Sequence, residues 1–118
     1  GVYTEKTQDK DQIFTRGYDK LVKGKKVLVV EDITTTGGSV MKVIASVKKA
    51  GGEVIGVCVL ANRNPDEINS RTLEIPYQSL AEIKMQAWDE ETCPLCQKRV
   101  PINTVVGKGR DYLKSKGK

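Results

Sequence analysis

An α/β fold, a parallel sheet flanked by helices, is what this sequence predicts, on three observations. The run Val27 to Val30 is continuously apolar, as expected of a parallel strand covered by helices on both faces. A second run, Glu53 to Leu60, is nearly as apolar. Between them Val40, Val43, Ile44, Val47 and Ala50 recur on one helical stripe, with Lys42, Lys48 and Lys49 largely off it. Strand, helix and strand of these lengths make a right-handed βαβ unit.

Each element has its own justification in chain order. Val2 and Tyr3 read as the end of a strand and Ile13 and Phe14 as the returning arm of a hairpin, with Glu5 to Asp11 a charged, mobile tip. The strand at Val27 to Val30 runs into Glu31 and Asp32. After Ser39 the helix begins, and Gly51 and Gly52 stop it, with lysines in its last turn matched to the negative end of the dipole. Thr72 to Ile75 reads as a short strand, and Tyr77 to Ile83 as a mixed apolar segment that completes the sheet edge. From Gly107 the chain is rich in Lys and Gly, which predicts a poorly ordered tail. The domain reading is therefore 1–106 as one incomplete domain and 107–118 as a basic, disordered tail.

The chemistry concentrates where the first long strand ends. In open α/β sheets the carboxyl ends of strands face the ligand crevice, so the adjacent acids Glu31 and Asp32 face a site rather than the core. Ile33, Thr34, Thr35, Thr36, Gly37, Gly38 and Ser39 then supply hydroxyls, unobstructed amides and a helix start. First-turn amides lack internal partners and the dipole favours negative charge, so this loop suits a phosphate dianion. It is not a Walker A loop, which needs a lysine after its second glycine, and Gly37-Gly38 lacks the third glycine of GxGxxG.

An apolar strand, two acids and a Thr/Gly-rich loop together resemble the phosphoribosyl-pyrophosphate motif of type I phosphoribosyltransferases, whose fold is Rossmann-like. The resemblance implies that Glu31 and Asp32 bind the ribose hydroxyls, Asp32 being the catalytic one of the pair, while Ile33 to Ser39 wrap the 5-phosphate. The family's hood and its pyrophosphate-binding loop have no counterpart in the sequence. Within the family the chain is most similar to bacterial orotate phosphoribosyltransferases. That likeness implies a lysine-bearing catalytic loop at Glu5 to Asp11, with Lys6 and Lys10 neutralising pyrophosphate in the site of a partner subunit of a homodimer, and Arg16 a further candidate. It also implies base contacts from Thr35 and Arg63, and magnesium carried by the diphosphate and ribose. Arginine suits a planar carboxylated pyrimidine because its guanidinium donates paired hydrogen bonds. Here Asn62 stands where the family usually has Asp, and the loop has no histidine. A purine or uracil phosphoribosyltransferase stays open as an alternative, as does a regulator of the same fold that binds RNA or protein.

Composition narrows the setting. The net charge is +5 and the isoelectric point near 9.1, but the lysines are scattered or gathered at the terminus, which argues against a nucleic-acid partner. No apolar run is long enough to span a membrane, and the start carries no signal-like segment, so the expected location is cytoplasmic. Three cysteines fit a reducing compartment. Cys93-Pro94-Leu95-Cys96 reads first as a structural turn. Its two thiols make half a zinc site, so a zinc shared between subunits or a reversible disulfide stays open too.

Overall fold

The computed structural model describes residues 1–86 and 88–117, which divide into two compact units, Gly1–Met85 and Gln86–Lys118. In the first unit, β3 (Lys26–Thr34), β4 (Glu53–Asn62) and β5 (Tyr77–Glu82) form a parallel sheet in the order β3-β4-β5. The helix α2 (Gly38–Lys49) links β3 to β4, as the periodicity of its apolar residues predicts. Val40 and Ile44 of α2 pack on Val29, Val57 and Val59 of the sheet, and Val43, Val54, Ile75 and Tyr77 border this core. Burying each such aliphatic side chain is worth about 1.5–3 kcal/mol, so the β3-α2-β4 unit carries most of the apolar stabilisation here. Gly51, at φ 81°, ends the helix in the left-handed conformation that a side chain would strain.

Alternation along the strands puts Leu28, Val30, Leu60 and Leu80 on the opposite face, where they are 55, 67, 58 and 75% exposed. The cover expected on both faces of Val27 to Val30 is thus present on the α2 side, and the other side is open. A register shift between Val27 and Leu28 lets β4 add one residue at this point of the ladder.

The amino-terminal hairpin is β1 (Glu5–Lys6) paired antiparallel with β2 (Gln12–Ile13). The strand expected at Val2 and Tyr3 is absent. Tyr3 instead meets Tyr18 edge to face at 5.4 Å, with the Arg16 guanidinium 5.8 Å from its ring. Tyr18 opens α1 (Tyr18–Val22), whose Val22 is buried. The short strand expected at Thr72 to Ile75 is also overturned, because α3 (Ser70–Leu73) occupies this stretch. The side chain of Asn69 accepts from the amides of Arg71 and Thr72 while Thr72 Oγ1 accepts from the Asn69 amide, a reciprocal cap that commits the segment to a helical turn. Tyr77–Glu82 does complete the sheet edge.

The second unit holds α4 (Pro94–Gln97) and α5 (Gly109–Ser115), and an ion pair of 2.6 Å joins Lys116 to Glu90. The helix α5 lies within the segment the sequence reads as a tail. Among the described residues, no helix is long and apolar enough to cross a membrane.

Candidate active site

The site is built where β3 hands over to α2. Residue Gly37, at φ 73°, is the N-cap of α2, and no side chain caps the helix. A threonine or serine cap would have consumed an amide; with glycine there, the first-turn donors stay available to a ligand. The Gly38 amide makes only a long bond, 3.4 Å, to Thr36 Oγ1. Ile33 through Val40 enclose a cavity of about 70 Å³, and Thr35, Thr36, Gly38 and Ser39 are exposed at it. No acid lies in the first turn of α2 to compete with an anion.

Glu31 and Asp32 stand on the approach to this loop. Asp32 is exposed, and its Oδ1 accepts from the Ile33 amide at 2.6 Å. Glu31 is partly buried. Desolvation, and then repulsion from Asp32, hold its carboxyl above the usual carboxylate range. Two adjacent acids, one of them raised, are poorly explained as structural partners and well suited to hydroxyls or a cation. A cavity of about 270 Å³ opens beside them, between Val2, Tyr3 and Phe14 of the amino-terminal segment and Leu28 to Glu31 of β3.

Arg63 is brought to the same place. Its amide donates to the Thr34 carbonyl at 2.9 Å, extending the β3-β4 ladder by one step, so Arg63 and Thr35 both leave the sheet at this edge. The Arg63 Nε is buried and has no hydrogen-bond partner among the described residues. An unsatisfied buried donor costs about 1–3 kcal/mol, so the Arg63 guanidinium holds a hydrogen bond in reserve at this end of the sheet.

Lys6 and Lys10 are exposed on the hairpin. The hairpin is tied to its own helix: Lys42 Nζ donates to the Lys10 carbonyl at 2.6 Å and lies 3.5 Å from Asp11, and Ser46 Oγ donates to the Gln12 carbonyl. Arg16 pairs with Glu5 at 3.2 Å and is engaged within the hairpin.

Sequence reasoning named Thr34 and Asn62 but missed the contacts that join them to Tyr77 and Ile68 behind the loop. Thr34 and Asn62, paired in register, are both buried. Thr34 Oγ1 donates to Asn62 Oδ1 at 3.3 Å and lies 2.7 Å from the Tyr77 hydroxyl. Asn62 Oδ1 also accepts from the Asn64 amide, and its Nδ2 donates to the Ile68 carbonyl at 2.7 Å. An aspartate could not make that last bond, which gives asparagine a physical reason here. Ile68, held by this network, is buried against Gly37. The sequence signal for it was an apolar residue isolated in the polar stretch 62–70.

Comparison with known proteins gives the family. The phosphoribosyl transferase domain family matches residues 2–94, and the chain belongs to that family. Among curated relatives, the orotate phosphoribosyltransferase of Caldanaerobacter subterraneus subsp. tengcongensis is 41% identical over 87 residues, 74% of this chain and 44% of its own length. That of Desulforamulus reducens is 41% identical over 100 residues, 85% of this chain and 50% of its own. The chain thus spans about half the length of the curated relatives it matches. Among solved structures, Mycobacterium tuberculosis orotate phosphoribosyltransferase in complex with 5-phospho-alpha-D-ribosyl 1-diphosphate is 36% identical, at a TM-score of 0.46 over 52% of this chain and 37% of that one.

Proposed function

We propose that this chain supplies the phosphoribosyl-pyrophosphate site of an orotate phosphoribosyltransferase, which joins orotate to the ribosyl C1 and releases pyrophosphate in pyrimidine nucleotide synthesis. The observation that carries the reading is the pair Glu31-Asp32 running directly into a helix whose N-cap is glycine and whose first turn no side chain caps. The curated relatives named orotate phosphoribosyltransferase support the choice of base.

In this reading Thr35 to Ser39 hold the 5-phosphate through amides and hydroxyls, the expected Thr34 hydroxyl being turned inward onto Asn62 and Tyr77, and Glu31 and Asp32 orient the ribose through its hydroxyls. The C1–O bond breaks with its electrons passing to pyrophosphate, and the base nitrogen bonds to the cationic C1 as its proton passes to the pyrophosphate or to water. The protein's part is positioning and charge stabilisation, with no covalent nucleophile required. Lys6 and Lys10 are assigned to the leaving anion, reaching the site of a second copy in a homodimer. Their exposure on a polar hairpin supports that role. Thr35 and Arg63 are assigned to the orotate, whose carboxylate would satisfy the Arg63 guanidinium.

Magnesium suits this donor set. Among the described residues no cluster of three acids, cysteines or histidines could cage a metal, but magnesium keeps waters and takes one or two carboxylates beside substrate phosphates, as Glu31 and Asp32 would offer. When bound it would neutralise charge on the diphosphate. A reducing, cytoplasmic setting goes with this reading, in keeping with the three cysteines of the sequence.

The test is pyrophosphate release by the complete gene product with phosphoribosyl pyrophosphate, magnesium and, in turn, orotate, uracil, adenine and guanine. Release with orotate alone is expected. Release with another base overturns the substrate, and tight binding of phosphoribosyl pyrophosphate without turnover on any base favours the regulator.

A further inference from the structure

We propose that Cys93 and Cys96 form a redox-active dithiol that closes to an intramolecular disulfide by exchange with a low-molecular-weight disulfide. The pair lies in the second unit and is independent of the phosphate-loop reading.

The local fold brings the two side chains together. Cys93 is extended, at φ −68° and ψ 115°, and is the N-cap of α4; Pro94 follows in the first turn with φ already fixed. An N-cap side chain folds over the first turn, and Cys93 Sγ accepts from the Cys96 amide at 3.4 Å. The turn is fastened from both sides: the Gln97 amide donates to the Cys93 carbonyl at 3.1 Å, and the Arg99 amide to the Cys96 carbonyl at 2.9 Å. Both thiols are free, and Cys96 is exposed.

The two sulfurs are also chemically unequal. Hydrogen bonds from the Cys96 amide and thiol, and from the Leu95 amide, pull the Cys93 thiol below its usual range. Donating to Cys93, with Glu90 close by, pushes Cys96 up. Tyr112 and Lys116 complete the surroundings, Lys116 through its pair with Glu90. A thiolate attacks and a thiol resolves, which is the division of labour that CxxC pairs exploit.

The chemistry balances. The Cys93 thiolate attacks one sulfur of the small disulfide, forming a mixed disulfide and expelling one thiolate, which takes a proton from solvent. Cys96 loses its proton and attacks Cys93 Sγ, expelling the second thiolate. The two protein thiols are oxidised, and the small disulfide is reduced to two thiols. A metal is the weaker occupant, because the chain has no histidine and, among the described residues, no third ligand joins the pair. Cys58 belongs to β4 in the other unit.

The experiment equilibrates the chain across ratios of reduced to oxidised glutathione, quenches with an alkylating agent and maps the cysteines by mass. The expected product has lost two hydrogens, with Cys93 and Cys96 protected and Cys58 alkylated. Brief alkylation of the reduced chain at neutral pH should label Cys93 ahead of Cys96. In Cys96→Ser the reaction should stop at a glutathione adduct on Cys93, while Cys93→Ser should form little adduct. Stable adducts on both cysteines without closure, pairing with Cys58, disulfide-linked dimers, or a retained zinc that shields both thiols would each overturn the proposal.

Discussion

Replacing Gly37 with alanine tests how the phosphate loop is held, and its cost can be worked from two features. The backbone there has φ 73°, and an L side chain in that region costs about 1–2 kcal/mol. The new Cβ would also stand 2.8 Å from Cδ1 of Ile68, a buried side chain with little room to withdraw. Overpacking of this kind costs about 1–3 kcal/mol, so the substitution should destabilise by about 2–5 kcal/mol in all. The two parts separate by a second change. Ile68→Val deletes the offending Cδ1, and the next nearest atom of Ile68 lies at 3.7 Å. Alone it should cost about 0.5–1.5 kcal/mol. In combination it should remove the steric part of the alanine's cost and leave the backbone part, giving a favourable coupling of about 1–3 kcal/mol. Urea titrations of the four proteins of this cycle, followed by far-ultraviolet circular dichroism, measure it. Additivity within about 0.5 kcal/mol would show that Ile68 does not bear on the loop, and the reasoning fails. Because Gly37 serves the fold as well as any ligand, Ser39→Ala is the cleaner probe of binding. It is exposed, and ribose 5-phosphate affinity should fall while the urea midpoint stays in place.

Three further outcomes follow from the same geometry. Glu31 binds its proton more tightly folded than unfolded, so its ionisation erodes stability as pH rises from the ordinary 4.5 through the raised value, and the loss is complete above it. Glu31→Gln should therefore raise the urea midpoint near neutral pH and leave it unchanged in strong acid; a gain confined to acid contradicts the sign. Lys42→Met cuts the tie to Lys10 and Asp11. Stability should change by no more than about 0.5 kcal/mol, but amide exchange at Thr7 and Lys10 should quicken, and unaltered exchange would mean the hairpin is held elsewhere. Asn62→Asp removes the donor to the Ile68 carbonyl and buries a carboxylate, so it should cost about 1–3 kcal/mol and more as the acid ionises. Denaturation with a midpoint equal to the parent's at neutral pH would refute the assigned bond.

What could be read from the sequence was whatever a single period or a local motif encodes. The apolar run of β3, the stripe of α2 and the glycines after it each depend on neighbours within a turn or two, and they emerge in place. So does the continuity of Glu31 to Ser39, because the strand end, the acids and the helix start are consecutive. The short elements misled for the same reason. Thr72 to Ile75 has strand-forming residues, but the reciprocal cap between Asn69 and Thr72 outweighs them. Nothing local ties Lys42 to Lys10, Ile68 to Gly37, or Tyr77 to Thr34. Those contacts exist only once α2 lies on the sheet and β5 has joined its edge.

The apolar pattern also says more than the sheet uses. Val27 to Val30 reads as a strand buried on both faces, yet only Val29 of its central pair is covered, and Val30 beside it is 67% exposed. The same split divides β4, where Val59 is buried and Leu60 open. A polar residue at either exposed position would have sufficed for the fold seen here, since half-buried strands alternate. Apolar residues at Leu28, Val30, Leu60 and Leu80 together instead leave this face of the sheet apolar and exposed. The site lies at the carboxyl end of those same strands. Glu31 and Asp32 directly follow Val30, so the alternation that leaves Val30 open also sends the two acids to opposite faces, Glu31 partly buried with Val29 and Asp32 exposed with Val30.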